Sequence, residues 1–120
     1  VVSEQGMLGK PADANDAIRM LRLLSGRRHH VVSAVAVHCA ARGVRLVDSE
    51  VTAVWFRTLG DDEITAYVAT GEPLDKAGAY GIQGRAALFV DRLDGDYFTV
   101  VGLPLARLAA LLERAGVRVL

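Results

Sequence analysis

About a third of the way along, the chain breaks a long valine-rich stretch at Ala41, Arg42 and Gly43, and this break constrains the fold more than any other feature. On one side, from His30 to Ala41, valines recur with partial alternation. On the other, from Val44 to Arg57, Val47, Val51, Ala53 and Trp55 fall at even separations. β-Branched residues in a period of two suit a pleated, half-buried surface. The pattern therefore predicts two strands joined as a hairpin.

Helical spacing flanks this hairpin. Ala17, Ile18, Leu21 and Leu24 share one face of a helix predicted from about Asp13 to Ser25, with Asp13 as its cap and Gly26 as its end. Asp61, Asp62 and Glu63 put negative charge at the favoured end of a short helix carrying Ile64, Tyr67 and Val68, and Gly71 stops it. Ala86 to Leu93 and Tyr97 to Val101 read as strands joined by a tight Asp-Gly-Asp turn at 94–96. A last helix, from about Pro104 to Ala115, places Leu105, Leu108, Ala109 and Leu112 on one face. The expected fold class is α/β, of the α+β kind, around one sheet that is largely antiparallel or mixed. The 120 residues are expected to form one domain.

Apolar residues make up 52% of the chain and charged residues 23%, the composition of a folding chain and not of a disordered one. With 14 basic and 14 acidic residues there is no global field to draw the chain to nucleic acid or to an anionic membrane. Any anion must be held locally. The single cysteine, Cys39, excludes a disulfide framework within the chain and points to a reducing, cytoplasmic compartment. No apolar run approaches the roughly 18 residues of a membrane span.

From Thr70 to Gly84 the chain reads TGEPLDKAGAYGIQG, too long for an ordinary connector of about 4–6 residues. Its glycines at 71, 78, 81 and 84 let backbone N–H groups turn toward a ligand. Glu72, Asp75, Lys76, Tyr80 and Gln83 stand between them: a cation for phosphate, acids for metal or proton work, and an amide for a base edge. The competing reading is an Ω-loop whose charges are merely solvated, and spacing does not decide between the two. Lys10, in Gly-Lys-Pro, has the look of a phosphate lysine but lacks the full P-loop pattern.

Other residues favour structural roles. His29 and His30 are adjacent, so on a strand they point to opposite faces and do not share a metal. Cys39 lies in an apolar run and is expected in the core. Arg27 and Arg28 follow a helix end and complement its dipole, and Trp55 and Phe56 read as cover and core of a strand.

LGKP at 8–11, LSG at 24–26, WFRTL at 55–59, YVATGEPLDKAGAYGIQG at 67–84 and VVGLPL at 100–105 resemble, in this order, segments of the Maf family of nucleoside triphosphate pyrophosphatases. DKAGAYGIQG is similar to the branch acting on dTTP and UTP. The resemblance implies hydrolysis between the α and β phosphates to a nucleoside monophosphate and pyrophosphate, with Mg2+ or Mn2+ as the divalent cation, in nucleotide-pool house-cleaning. It implies Lys10 and Lys76 as phosphate contacts and Gln83 as the substrate-selecting residue, with Glu72 and Asp75 as candidates for metal or water organisation.

It also implies a Maf/ITPase-like elongated architecture with a mixed sheet and a cleft between two lobes, incomplete here at the N-terminus. The family's phosphate loop and its general-base aspartate are absent, the latter expected just upstream of Val1. No catalytic residue is therefore expected in this chain, and the 120 residues alone are expected to be inactive. The expected partners are dTTP and UTP, with neither nucleic acid nor membrane, and homodimer formation is left open. The alternative is a non-catalytic nucleotide-binding regulator linked to cell division and septum formation. An incomplete sheet is further expected to expose an apolar face or edge.

Overall fold

The structure, a computed structural model, describes residues 1–120. Its centre is the hairpin of β3 (Arg28–Cys39) and β4 (Val44–Phe56), paired without interruption from Arg28 opposite Trp55 to Cys39 opposite Val44. A single 3-10 turn at Ala40–Arg42 and the left-handed Gly43 close it. β1 (Val2–Ser3) and β2 (Gly6–Met7) extend the sheet on one side and β5 (Val90–Asp94) on the other, in the order β2-β1-β3-β4-β5. Every pairing is antiparallel, so among these strands the sheet is not mixed. The long hairpin draws the molecule out to 53 × 26 × 26 Å, the expected elongated shape.

Alternation sorts the hairpin into two faces. His29, Val31, Val35, Thr52, Val54 and Phe56 are buried on the inner face. On the outer face Val32, Val47 and Val51 remain 48%, 63% and 52% exposed, the expected uncovered apolar surface. α1 (Ala14–Leu24) covers the inner core with Ala17, Met20, Leu21 and Leu24. Asp13 caps it by accepting from the Asp16 N–H at 2.8 Å. α2 (Asp61–Ala69) adds Ile64, Tyr67 and Val68, and its Glu63 accepts from the Gly60 N–H while pairing with Arg57. These residues belong to one core cluster of 17. Each buried Val, Leu or Phe in it contributes about 1.5–3 kcal/mol.

Three sequence expectations are corrected. Residues 86–93 are not one strand: Arg85–Phe89 form 3-10 turns that bury Ala86 and Phe89, three residues apart, before β5 begins at Val90. Tyr97–Val101 is a helix, α3, and not the partner of β5. Asp96 caps it, accepting from the Thr99 N–H and hydroxyl at 2.9 and 2.8 Å. Thr52 stitches the Asp96 backbone to β4 by one bond in each direction, and Ser33 donates to the Thr99 carbonyl at 2.8 Å, holding α3 on the inner face. Finally, α4 (Leu105–Arg114) buries Leu111, followed by Ala115, while Leu105 is 44% exposed and Ala109 is also exposed. On the same side as Leu111, Arg107 pairs with Asp48 and Glu50 of β4.

Candidate functional site

Beyond Gly71 the chain turns through Glu72–Asp75 and Ala77–Ala79 and doubles back at residues 80–84. Gly78 and Ala79 both have positive φ, +71° and +64°, and Ala79 is the one non-glycine residue of the chain to do so. The left-handed region costs an alanine about 1–2 kcal/mol, so packing must hold it there. It does: Ala79 is fully buried, and the Gly78 N–H donates to the Gly9 carbonyl at 3.0 Å. That bond fastens the loop bearing Lys76 to the loop bearing Lys10.

A cavity of about 480 Å3 opens between this loop, the edge of β3 at residues 31–33 and the C-terminal end of α3 at residues 100–102. Glu72, Lys76 and Gln83 all line it. Lys10 and Asp75 do not. Lys76 donates to Asp75 at 3.1 Å. That bond, with the charge of Lys76 and more weakly that of Lys10, holds the Asp75 carboxyl below its usual range. The charges of Lys76 and Lys10 thus both bear on the same carboxyl group. The Gln83 amide makes no hydrogen bond within the chain and is exposed.

Glu72 is held differently. Its Oε1 accepts from the Arg85 N–H at 3.3 Å, and its Oε2 is buried without a partner. The carboxylate occupies the space where a side chain on residue 84 would begin, so any larger residue there would have to displace it. Tyr67 reaches the same region from α2. Its hydroxyl accepts from the Gly81 N–H at 3.2 Å, and burial, then the adjoining Glu72 carboxylate, raises its pKa. The sequence pattern places Tyr67 on the short helix with Ile64 and Val68 and gives its hydroxyl no role. A tyrosine at a buried position signals a hydroxyl partner without saying which.

Behind the loop, Tyr80 and the fully buried His29 share a 2.6 Å hydrogen bond. His29 also meets the edges of Phe56 and Tyr80 at ring distances of 5.0 and 5.4 Å. His30 faces the other way, as the strand predicts, and no three His, Cys, Asp or Glu side chains gather where they could hold a metal. Cys39 is only half-buried, at the far end of β3, a correction to its expected place in the core. Arg28 belongs to β3 and lies over the Trp55 ring at 6.0 Å, with Arg92 at 4.9 Å, so it does not serve the α1 dipole. Phe56 is buried and Trp55 half-buried, core and cover as the pattern predicts. A wider groove of about 830 Å3 lies along α4 and the last residues, walled mainly by alanine and valine. It gathers no comparable set of polar groups.

No helix is long and apolar enough to cross a membrane. Comparison with known proteins gives a match from residue 1 to 115 to the family described as Maf-like protein. A dTTP/UTP pyrophosphatase of Moorella thermoacetica is 59% identical over 119 residues, covering 99% of this chain and 61% of that protein. One from Syntrophomonas wolfei is 49% identical over 120 residues, covering 100% of the chain and 64% of the relative. One from Alkaliphilus oremlandii is 52% identical over 113 residues, covering 94% and 59%. The chain spans about three-fifths of the length of these curated relatives. With the match running through the lysine loops, the cavity wall and α4, the chain belongs to the Maf-like protein family.

Proposed function

We propose that this chain carries the nucleotide-recognition part of a pyrophosphatase acting on dTTP and UTP. The carrying observation is the cavity in which Lys76 and the uncommitted Gln83 amide share one glycine-bent wall, with Lys10 fastened alongside. Relatives named dTTP/UTP pyrophosphatase support the reading. In it, Lys10 and Lys76 neutralise charge on the triphosphate as the α–β bond opens and pyrophosphate leaves. Lys76 exchanges Asp75 for a phosphate oxygen. Gln83 meets the base edge.

The carboxylates of this chain do not by themselves build a site for Mg2+ or Mn2+. Asp75 is engaged by Lys76, one oxygen of Glu72 by the Arg85 backbone, and no third ligand joins them. Glu72 Oε2 is buried without a partner. A cation of this kind needs near-octahedral oxygen ligation, commonly from one or two carboxylates with substrate phosphates. What Lys10, Lys76 and Gln83 supply is charge neutralisation and recognition of the base.

Isothermal titration with UTP, dTTP, CTP and GTP tests recognition. UTP and dTTP are expected to bind at least tenfold tighter than GTP, and Lys76→Ala to weaken both by about tenfold, the loss of one charge-assisted contact. Binding of all four nucleotides with equal affinity, or of none, would overturn the proposal. Pyrophosphate release from dTTP and UTP with Mg2+ tests whether these residues also suffice for turnover.

A further inference from the structure

Gln83 alone is a poor judge of a pyrimidine. Its amide presents a donor and an acceptor that exchange places when it rotates by half a turn. Thymine and uracil offer an acceptor oxygen at position 4 where cytosine offers an amino donor, and a freely rotating amide serves either. Discrimination therefore needs groups whose polarity cannot flip. Nearest to Gln83 are the backbone N–H and C=O groups of residues 81–84, and their direction depends on what holds that turn.

Two side chains from outside the turn do so. Tyr67, buried on α2 with its ring against Phe89 at 5.1 Å, accepts from the N–H of Gly81 at the turn's start. Glu72 accepts from the N–H of Arg85 just past its end, and its carboxylate packs directly on Gly84. The two braces are themselves linked: Glu72 stands next to the Tyr67 hydroxyl, and the Thr70 hydroxyl donates to the Tyr67 carbonyl at 2.6 Å while accepting from the Glu72 N–H at 3.2 Å. Between them, only the bond from the Gly84 N–H to the Gly81 carbonyl, 3.1 Å, spans the turn internally.

We propose that Tyr67 and Glu72 are positioning residues for base selection, fixing the backbone of residues 81–84 so that the turn, with Gln83, accepts uracil or thymine and rejects cytosine. The inference rests on the reading of the site as a dTTP/UTP site. It separates selection of the base, governed from α2, from attraction of the triphosphate, governed by Lys10 and Lys76. Removing the Tyr67 hydroxyl should therefore change the preference among bases and leave affinity for inorganic pyrophosphate as it was. General loosening of the loop would weaken both.

The test compares UTP, CTP and pyrophosphate binding to the wild type, Tyr67→Phe and Glu72→Gln by titration calorimetry, with amide hydrogen exchange at Gly81. In Tyr67→Phe the UTP-over-CTP preference is expected to fall at least fivefold, Gly81 exchange to accelerate at least tenfold, and pyrophosphate affinity to stay within twofold. Glu72→Gln keeps the shape of the brace and an acceptor oxygen for Arg85, so it should retain more of the preference than Tyr67→Phe. A wild type that prefers UTP and a Tyr67→Phe that keeps the preference within twofold would overturn the positioning role alone. So would a parallel loss of UTP and pyrophosphate binding. A wild type without preference for UTP would overturn the site reading together with this inference.

Discussion

Lowering the pH from 7.5 to 5.5 is expected to remove about 1.3 kcal/mol of folding stability through His29 alone. The imidazole is 1% exposed, its Nε2 shares the 2.6 Å bond with the Tyr80 hydroxyl, and its Nδ1 has no partner. A second ring proton would be buried without an acceptor. Burial first, then the charges of the Val1 amino group and His30, lowers the pKa from 6.5 to about 4. Between those values the unfolded chain takes up a proton that the folded chain refuses, so stability falls as the pH drops below 6.5 and the loss is complete near 4. Over the full window the penalty is about 3 kcal/mol. By pH 5.5 most of the first unit has been lost, while the stabilisation from Glu63, whose pKa falls from 4.5 to about 2, is lost only at lower pH.

Urea unfolding at half-unit intervals from pH 7.5 to 5.5, on the wild type and His29→Phe, measures the effect. Phenylalanine keeps the aromatic packing against Phe56 and Tyr80, leaves the Tyr80 hydroxyl without its partner, and cannot titrate. The variant should therefore be less stable at pH 7.5 by a roughly constant amount, yet lose about 1.3 kcal/mol less than the wild type on acidification. The His29 Cε1–H resonance should titrate with a midpoint near 4 in the folded state. Parallel pH profiles for the two proteins, or a midpoint near 6.5, would refute the argument.

Three further outcomes are expected. Gly78→Ala should cost at least about 2 kcal/mol in urea unfolding, since φ is +71° and the new Cβ would lie 2.8 Å from Val1 Cγ2; a loss within 0.5 kcal/mol, a rough threshold for an unimportant surface change, would contradict it. Asp96→Ala removes the acceptor for the Thr99 N–H and hydroxyl and should lower stability by about 1 kcal/mol; an unchanged denaturation midpoint would show that α3 is held by Thr52 and Ser33 alone. Asp75→Asn frees Lys76 from its resting partner, so UTP should bind about twofold to threefold tighter when no divalent cation is present. Weaker binding would give Asp75 a direct part in holding substrate.

The elements legible in the sequence are those whose cause lies within a few residues. Asp13 opens α1 and Ser25 closes it by local capping, and the valine alternation of β3 and β4 needs only the pleat to sort its faces. Tyr97–Val101 misleads because its aromatic and β-branched residues carry strand propensity, which the Asp96 cap and two hydroxyl bonds from β3 and β4 override. The leucines of α4 likewise cannot report which side meets the sheet, where Leu111 is buried and Arg107 reaches acids nearly sixty residues earlier. The site divides along the same line. Lys76 and Gln83 stand out because glycines surround them in one short run, whereas Tyr67, whose hydroxyl holds Gly81 across a separation of 14, is indistinguishable from a core residue of α2. Glu72 lies in the visible loop, yet its carboxylate points to the backbone of residues 84 and 85 and not outward. A loop rich in glycine cannot hold its own shape, because each glycine adds freedom that folding must remove. Its restraint has to come from side chains anchored elsewhere. The more plainly a sequence advertises such a loop, the more its geometry depends on residues, such as Tyr67, that the loop's own sequence does not contain.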